Sequence, residues 1–284
     1  MSWDISPGFT LASVLISLGG FANGYDTGSI GAMLSMSQFN HSIGALTPFL
    51  LGFTVSLVML AAVIPSLLSG YLADRFGRLR IILIGAALLG IGSLLDSTAL
   101  DLPQFIIGRA VAGIGQGVYL GNISVYICEI APVKYRGTLA AVPQLLTTIG
   151  ICAGYFTCYG SVAIRSSLAW RCPLIVQCAV AFCVVLSCIL VPESPRWLIL
   201  HGKHAEALRS LRRLRFPITE AESGFLNMEQ QPSISEWQQI SLIFTKAYRR
   251  RTVLGLFVLG MAQLSGIDGV LYVSDPHDLA GPLF

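Results

Sequence analysis

Apolar residues run through most of the chain in long stretches that only short polar segments interrupt. A transmembrane helix needs about 20 apolar residues, because its backbone amides and carbonyls must be satisfied within the segment when no water is present. The pattern therefore predicts an all-α membrane protein. The predicted spans run from about Phe9 to Leu34, Pro48 to Ala73, Ile81 to Leu95, Phe105 to Ile127, Leu139 to Tyr159, Leu174 to Val191 and Val253 to Val273.

The basic residues between these spans predict their orientation. All but three of the 18 Lys and Arg residues lie in loops on one side, and short basic loops stay cytoplasmic. Of the exceptions, Arg165 and Arg171 lie on the opposite side and Arg109 lies inside the fourth span. We therefore expect a cytoplasmic N-terminus, with the seventh span ending outside. The first span exceeds the apolar core of a signal peptide and lacks preceding basic residues, so we expect it to remain as an anchor.

One long polar segment divides the chain into three predicted parts: a six-span bundle (1–192), a cytoplasmic helical linker (193–251), and the seventh span with a short extracellular tail (252–284). The linker is expected to lie across the cytoplasmic ends of the spans, and a second short helix is predicted from Ser235 to Tyr248. The run Arg249 to Arg251 either anchors the seventh span or contacts anionic lipid. Apolar positions in its first amphipathic part are Leu198, Ala205, Leu208, Leu211 and Leu214.

Composition excludes several classes of protein. Apolar residues make up 54% of the 284 residues and charged residues only 12%, with a mean hydropathy of +0.71, which a soluble domain does not show. A net charge of +3 without interleaved aromatic and basic residues excludes nucleic acid as a partner. The four His residues lie outside the spans, and no catalytic triad, metal set or phosphate loop is recognisable. We expect neither an enzyme nor a bound cofactor or metal.

The cysteines and glycines of the spans are interpreted as packing residues. The cysteines show no ligand-like spacing to His, and small residues let membrane helices approach closely. The glycines of span 4 lack the preceding strand and following acid of a dinucleotide-binding loop. The residues are Cys152, Cys158, Cys172, Cys178, Cys183 and Cys188, and Gly108, Gly113, Gly115, Gly117 and Gly121.

Three ionisable residues fall at membrane depth, where each demands a partner or a wet cavity: Asp26, Arg109 and Asp268. We expect Asp26 and Arg109 to face each other across a central cavity, since a pair costs less than two isolated charges. Separating a carboxylate from a guanidinium favours proton uptake, so a conformational change that breaks the pair would be coupled to a proton. The alternative for Arg109 is snorkelling to the outer headgroups.

Motifs spread over nearly the whole chain resemble the sugar porter family of the major facilitator superfamily, and most closely its fungal monosaccharide transporters. They are Gly24-Tyr25-Asp26-Thr27-Gly28, Gly70 to Arg78, Gly108-Arg109 with the glycines after it, Glu129 with Arg136, Gly137 and Gln144, Pro192 to Leu198, and Gln263 to Asp268 with Tyr272.

The resemblance implies two six-helix bundles of inverted repeats that rock about a midplane site and are joined by a cytoplasmic helical domain. It implies alternating-access transport of a hexose or pentose, with Asp26 and Arg109 coupling a proton, in the plasma membrane. Sugar-binding roles follow for Gln144, Gln263, Asp268 and Tyr272, because an amide, like a sugar hydroxyl, both donates and accepts. A helix–helix hydrogen bond is the alternative for Gln144. A salt-bridge latch of the outward-facing state is implied for Asp74, Arg75, Arg78, Glu129, Arg136, Glu193 and Arg196.

The chain departs from the family's pattern in three respects. Ala262 replaces the first of two adjacent glutamines, and Asp268 replaces an Asn. These changes leave a polyol or a quinate-like acid open as the substrate. The family has twelve spans, and the sequence ends after the seventh, so the rest of the C-terminal bundle is expected to be missing.

Three hypotheses follow from this shortened pattern. The first is an active proton-linked carrier that is incomplete here or completes its cavity as a homo-oligomer. The second is a truncated, non-transporting fragment. The third, a sugar sensor, is disfavoured because sensors carry a long cytoplasmic tail. Asn40, in the sequon Asn40-His41-Ser42 of the first outside loop, is a predicted glycosylation site.

Overall fold

A computed structural model describes residues 7–44, 46–215 and 245–264. The regular elements within these ranges are helices. They are α1 (Pro7–Leu34), α2 (Ser37–Ile43), α3 (Pro48–Phe76), α4 (Arg78–Ser97), α5 (Leu102–Ile130), α6 (Arg136–Ser161), α7 (Leu168–Leu190), α8 (Pro195–Leu200), α9 (His204–Leu214) and α10 (Lys246–Leu264).

Six long helices, α1 and α3 to α7, form a bundle. Helix α5 packs against α3 and α4, α6 packs against α1, and α7 packs against α4 and α1. These helices lie at the positions of the first six predicted spans, with ends that extend into the polar flanks. Only Gly77 separates α3 from α4, and its φ of 106° is a conformation that favours glycine.

Five helices of the described residues, α3 to α7, are long and apolar enough to cross a membrane. Helix α1 has 28 residues and lies within the bundle, but it carries Asn23 and Asp26 among its apolar residues. Helix α10 begins at Lys246, earlier than the predicted Val253, and continues beyond residue 251 without a break. The rest of the predicted seventh span lies outside the described residues.

Glycines allow α1 and α6 to approach closely. A Cβ atom at Gly20, Gly24 or Gly28 would overlap backbone atoms of α6, and one at Gly150 or Gly154 would overlap backbone atoms of α1. The two helices therefore pack backbone against backbone.

The glycines of α5 act in the same way against α3 and α4. Added Cβ atoms at Gly113 and Gly117 would meet α3, and those at Gly108 and Gly115 would meet α4. The packing role predicted for this group is wrong for Gly121, which has open space beside it and lines a cavity.

The packing role predicted for the cysteines holds only in part. Cys158 and Cys188 are buried, whereas Cys152 and Cys183 are exposed. Periodicity within an apolar span does not reveal whether a position faces a neighbouring helix, a cavity or lipid, and this is why the prediction fails at those two positions.

We call the end that carries the α3–α4 and α5–α6 turns the basic end, and the other the opposite end. At the opposite end the short helix α2, which the sequence pattern did not predict, docks through Phe39. Its ring packs edge-on against Phe105 at 5.4 Å and Trp170 at 5.3 Å. Asn40 is exposed on this helix.

The start of the linker packs on the basic end, as two helices. Gly202, with φ at 71°, lies between α8 and α9. The prediction that Ala205 and Leu208 belong to the buried face of this segment is wrong, since both are exposed. Helix α9 instead turns Ala207, Ser210 and Leu214 inward. Leu214 joins the core that contains Phe9 of α1. Most of the second predicted linker helix, Ser235 to Tyr248, lies outside the described residues.

Candidate functional site

A cavity of about 790 Å³ opens among α1, α3, α5 and α6. Polar side chains line it from α1, α5 and α6, while α3 contributes mainly apolar ones such as Val55, Val58 and Met59. Three of the residues predicted from the sequence, Asp26, Arg109 and Gln144, line this one cavity. The remaining predicted substrate residues lie elsewhere: the side chain of Gln263, at the end of α10, and all of Asp268 and Tyr272 are outside the described part of the chain.

Asp26 and Arg109 form the ion pair that the sequence predicted. Arg109 Nη1 lies 2.8 Å from Asp26 Oδ1, although the two residues are 83 positions apart. Gln116, two turns further along α5, donates from Nε2 to the other carboxylate oxygen of Asp26 at 3.2 Å. Arg109 is only 1% exposed, so the snorkelling alternative is wrong. Both oxygens of the Asp26 carboxylate are engaged by α5.

Asp96, near the end of α4, is a second acidic partner of Arg109 that the sequence analysis missed. Its Oδ2 lies 3.2 Å from Arg109 Nε, and the residue is 1% exposed. The signal that could have identified it is an unexplained acid in an otherwise apolar helix. The predicted third span ends at Leu95, one residue before Asp96.

Other polar residues of the cavity share a simple spacing. Asn23, Asp26 and Thr27 occupy positions i, i+3 and i+4 of α1, and Gln144, Thr147 and Thr148 repeat this spacing on α6. Residues at this spacing lie on one face of a helix, so two polar stripes meet at the cavity. Polar periodicity within an apolar span is thus the signal that could have found the additional residues.

Gln144 is available for a ligand in this arrangement. It is exposed to the cavity, and its amide has no hydrogen-bond partner among the described residues. The predicted alternative, a helix–helix hydrogen bond, is therefore absent from the described part of the chain. The hydroxyls of Thr147 and Thr148 donate instead to backbone carbonyls, those of Gly20 and Pro143 in the first case and of Gln144 in the second.

Four of the residues predicted to form a latch meet at the basic end. Arg78 Nη2 lies 2.6 Å from Asp74 Oδ1 and 3.2 Å from Glu129 Oε1. Glu193 Oε1 accepts from the backbone amide of Leu79 at 3.0 Å. Since α4 begins at Arg78, this carboxylate satisfies one of the free amides of its first turn.

The start of the linker completes this cluster. Ser194 donates from Oγ to Glu129, and Trp197 donates from Nε1 to the carbonyl of Asp74 at 2.7 Å. The linker is therefore bonded to the ends of both α3 and α5. Neither Ser194 nor Trp197 was assigned to the latch from the sequence.

The other three predicted latch residues make no ion pair with any residue that the structure describes. Arg75 lies beside Tyr71 and over the ring of Phe76. Arg136 and Arg196 line a second cavity, of about 370 Å³, together with Glu129. The structure thus brings together Asp74, Arg78, Glu129 and Glu193, and leaves these arginines at the margin of the cluster.

Known proteins resemble this chain along nearly its whole length. The family model described as "Sugar (and other) transporter" matches residues 12–276. An arabinose-proton symporter of Bacillus subtilis is 33% identical over 276 residues, and the hexose transporter HXT10 of Saccharomyces cerevisiae is 30% identical over 277 residues. These alignments cover 94% and 91% of this chain, and 58% and 50% of the two relatives.

A solved structure of the major facilitator superfamily proton:xylose symporter XylE, bound to 6-bromo-6-deoxy-D-glucose, has the same fold. The TM-score is 0.77 at 26% identity, over 95% of this chain and 62% of that one. The chain thus spans between about half and three fifths of the length of these proteins. The match over residues 12–276 and the shared helical bundle establish that this chain belongs to the sugar (and other) transporter family.

Proposed function

We propose that the protein carries a monosaccharide, a hexose or pentose, across the membrane together with a proton. The observation that carries the proposal is the Asp26–Arg109 pair on the wall of a cavity that also presents Gln144. The cavity gives Asp26 access to water and to a solute, while its partner Arg109 is buried. A proton bound at Asp26 weakens the ion pair, so proton binding changes how α1 is held against α5.

The polar groups of the cavity suit a neutral polyhydroxy solute. The amides of Asn23 and Gln144 offer donors and acceptors, as sugar hydroxyls require, and the threonine hydroxyls, which donate to backbone carbonyls, add acceptors. Arg109 is occupied by Asp26 and Asp96, so it is not available to bind the carboxylate of an organic acid. These contacts favour a sugar over the quinate-like acid. The names of the relatives, arabinose-proton symporter and hexose transporter, support a sugar as well.

Uptake of labelled glucose, xylose and arabinose by transporter-deficient yeast cells that express this 284-residue chain tests the proposal. A surface signal serves as the control that the protein reaches the plasma membrane. We expect acidic medium to stimulate uptake. Asp26→Asn is expected to lose this stimulation, because an amide takes up no proton, and to retain exchange of sugar across the membrane.

Asp101→Asn is the matched control, since Asp101 is exposed outside the cavity and its side chain makes no capping hydrogen bond to α5. This variant should behave as the wild type does. Absence of uptake with normal surface expression would contradict transport by this chain. Uptake that Asp26→Asn leaves equally sensitive to pH would contradict proton coupling through Asp26.

A further inference from the structure

Arg109 lies between two carboxylates whose surroundings differ. Asp26 lines the cavity, whereas Asp96 is not among the residues that line it and is 1% exposed. A Cβ atom at position 108 would overlap Asp96 Oδ1, so the glycine beside Arg109 makes room for this acid. Asp96 is therefore enclosed by α4 and α5, and Asp26 is the acid that the cavity reaches.

The charges of this cluster do not balance when both acids are ionised. A guanidinium does not release its proton in proteins, so Asp26, Asp96 and Arg109 together carry one net negative charge. The other charged side chains of the six long helices lie at the basic end, except for Arg171 at the opposite end. A proton on one of the acids makes the cluster neutral, which is favourable in an apolar bundle.

The neighbouring helices add no further charge beside Asp26. Their titratable groups nearby are two phenols and a thiol, those of Tyr25 of α1, Tyr119 of α5 and Cys152 of α6, and α3 presents no titratable side chain to the cavity. Tyr119 donates its hydroxyl proton to the carbonyl of Gly19. On α7, Arg171 donates to the carbonyl of Ala99 and stacks over Trp170.

We infer that Asp96 is a positioning residue, a fixed counterion that holds Arg109 when Asp26 takes up a proton and so sets the pH at which Asp26 is loaded. The inference rests on the proposed function. With Asp96 present, the proton-loaded cluster is neutral and the unloaded cluster is anionic. Without it, the unloaded pair would be neutral and the loaded pair would leave an uncompensated cation, so loading would require a higher proton concentration.

Infrared difference spectra of the purified chain measure this loading without transport, because a protonated carboxyl group has its own C=O stretching band. Other carboxyl groups of the chain contribute to this region of the spectrum, and we expect one component that grows on acidification and is lost in Asp26→Asn. In Asp96→Asn the midpoint of this titration should fall by about one pH unit or more, a roughly tenfold higher proton concentration. The pH of half-maximal uptake in cells should fall in parallel.

Asp101→Asn, five residues further along, is again the matched control, and its midpoint should equal that of the wild type. An unchanged midpoint in Asp96→Asn would overturn the inference, as would a band that Asp96→Asn removes and Asp26→Asn retains. Since the titration uses no sugar, absence of uptake with a shifted band would contradict the proposed function and leave the role of Asp96 supported.

If Asp96→Asn fails to fold, a second variant identifies the cause. The double change Asp96→Asn with Arg109→Gln removes both charges of this ion pair. If the double variant folds where the single variant does not, Asp96 serves as the counterion of Arg109, as inferred. If neither folds while Asp101→Asn does, Asp96 has a wider structural role and the inference is wrong.

Discussion

Two glutamines of the cavity differ in what they contact, although both face the same space. Gln116 donates to the carboxylate of Asp26, whereas the amide of Gln144 has no partner among the described residues. The two side chains are chemically identical, so only their contacts distinguish their roles. We expect Gln116 to affect proton binding and Gln144 to affect sugar binding. Each is therefore the matched control for the other.

Gln144→Ala is expected to raise the KM for the transported sugar about tenfold, because a site built for a hydroxyl loses roughly 1–2 kcal/mol when one hydrogen-bonding partner is removed. Its pH profile should match that of the wild type. Kinetics of labelled sugar uptake at several pH values measure both quantities. An unchanged KM would remove Gln144 from the sugar site.

Gln116→Ala is expected to have the complementary effect. It removes a hydrogen bond that the ionised form of Asp26 accepts more strongly than the protonated form, so loading with a proton becomes easier and half-maximal uptake moves to higher pH. The KM at saturating proton concentration should change little. A shift to lower pH, or a change confined to KM, would contradict the arrangement described here.

At the scale of elements, glycines decide which helices can touch along their backbones. Gly24 lies against the backbone of Thr147, and this contact brings the polar stripes of α1 and α6 to the same cavity. Gly70 of α3 is also within a helix, but nothing lies within 4 Å of a Cβ atom placed there. Helix propensity treats the two residues alike, and only packing distinguishes them.

Gly24→Ala is expected to destabilise the folded bundle by about 1–3 kcal/mol, because α1 and α6 must separate to admit the methyl group. Thermal unfolding in detergent, followed by the elution of folded protein, measures the loss. Gly70→Ala is the control and should be neutral or stabilising, since alanine favours a helix more than glycine does. Equal effects of the two changes would show that the close packing at Gly24 is not required.

For the whole molecule, the contacts at the basic end join the linker to the bundle. Glu193 connects the start of α8 to the first turn of α4, and the hydroxyl of Ser210 on α9 donates to the carbonyl of Glu193 at 2.7 Å. Trp197 adds its bond to the end of α3. Helices α8 and α9 are thereby held on the bundle through a few polar bonds and the buried side chain of Leu214.

Glu193→Ala is expected to loosen this attachment by about 1 kcal/mol, since it removes the acceptor for the first turn of α4. Trypsin should then cleave within α9, after Arg209 or Arg212, about fivefold faster, because cleavage follows the population of the open form. Glu206→Ala, an exposed change on α9 itself, is the control and should leave the rate nearly unchanged. Equal rates for both variants would show that Glu193 does not fasten the linker.

The membrane class, the six long helices of the bundle and the pairing of Asp26 with Arg109 all follow from the amino-acid sequence alone. Long apolar stretches report burial in lipid directly, and two lone opposite charges in such stretches have few ways to be accommodated. The motifs likewise identified the family that the comparisons establish. These features depend on local composition or on a strong constraint, so they are visible without the fold.

Other contacts depend on how the helices pack in three dimensions. Packing brings Asp96 of α4 to Arg109 of α5 and docks α2 through Phe39. It also turns Ala207 rather than Leu208 toward the bundle, and it leaves Arg75 and Arg136 outside the ion pairs of the described residues. The physical reason is common to all four. Periodicity specifies which positions share a helix face, but the rotation of each helix and its neighbours are set by packing against the entire bundle.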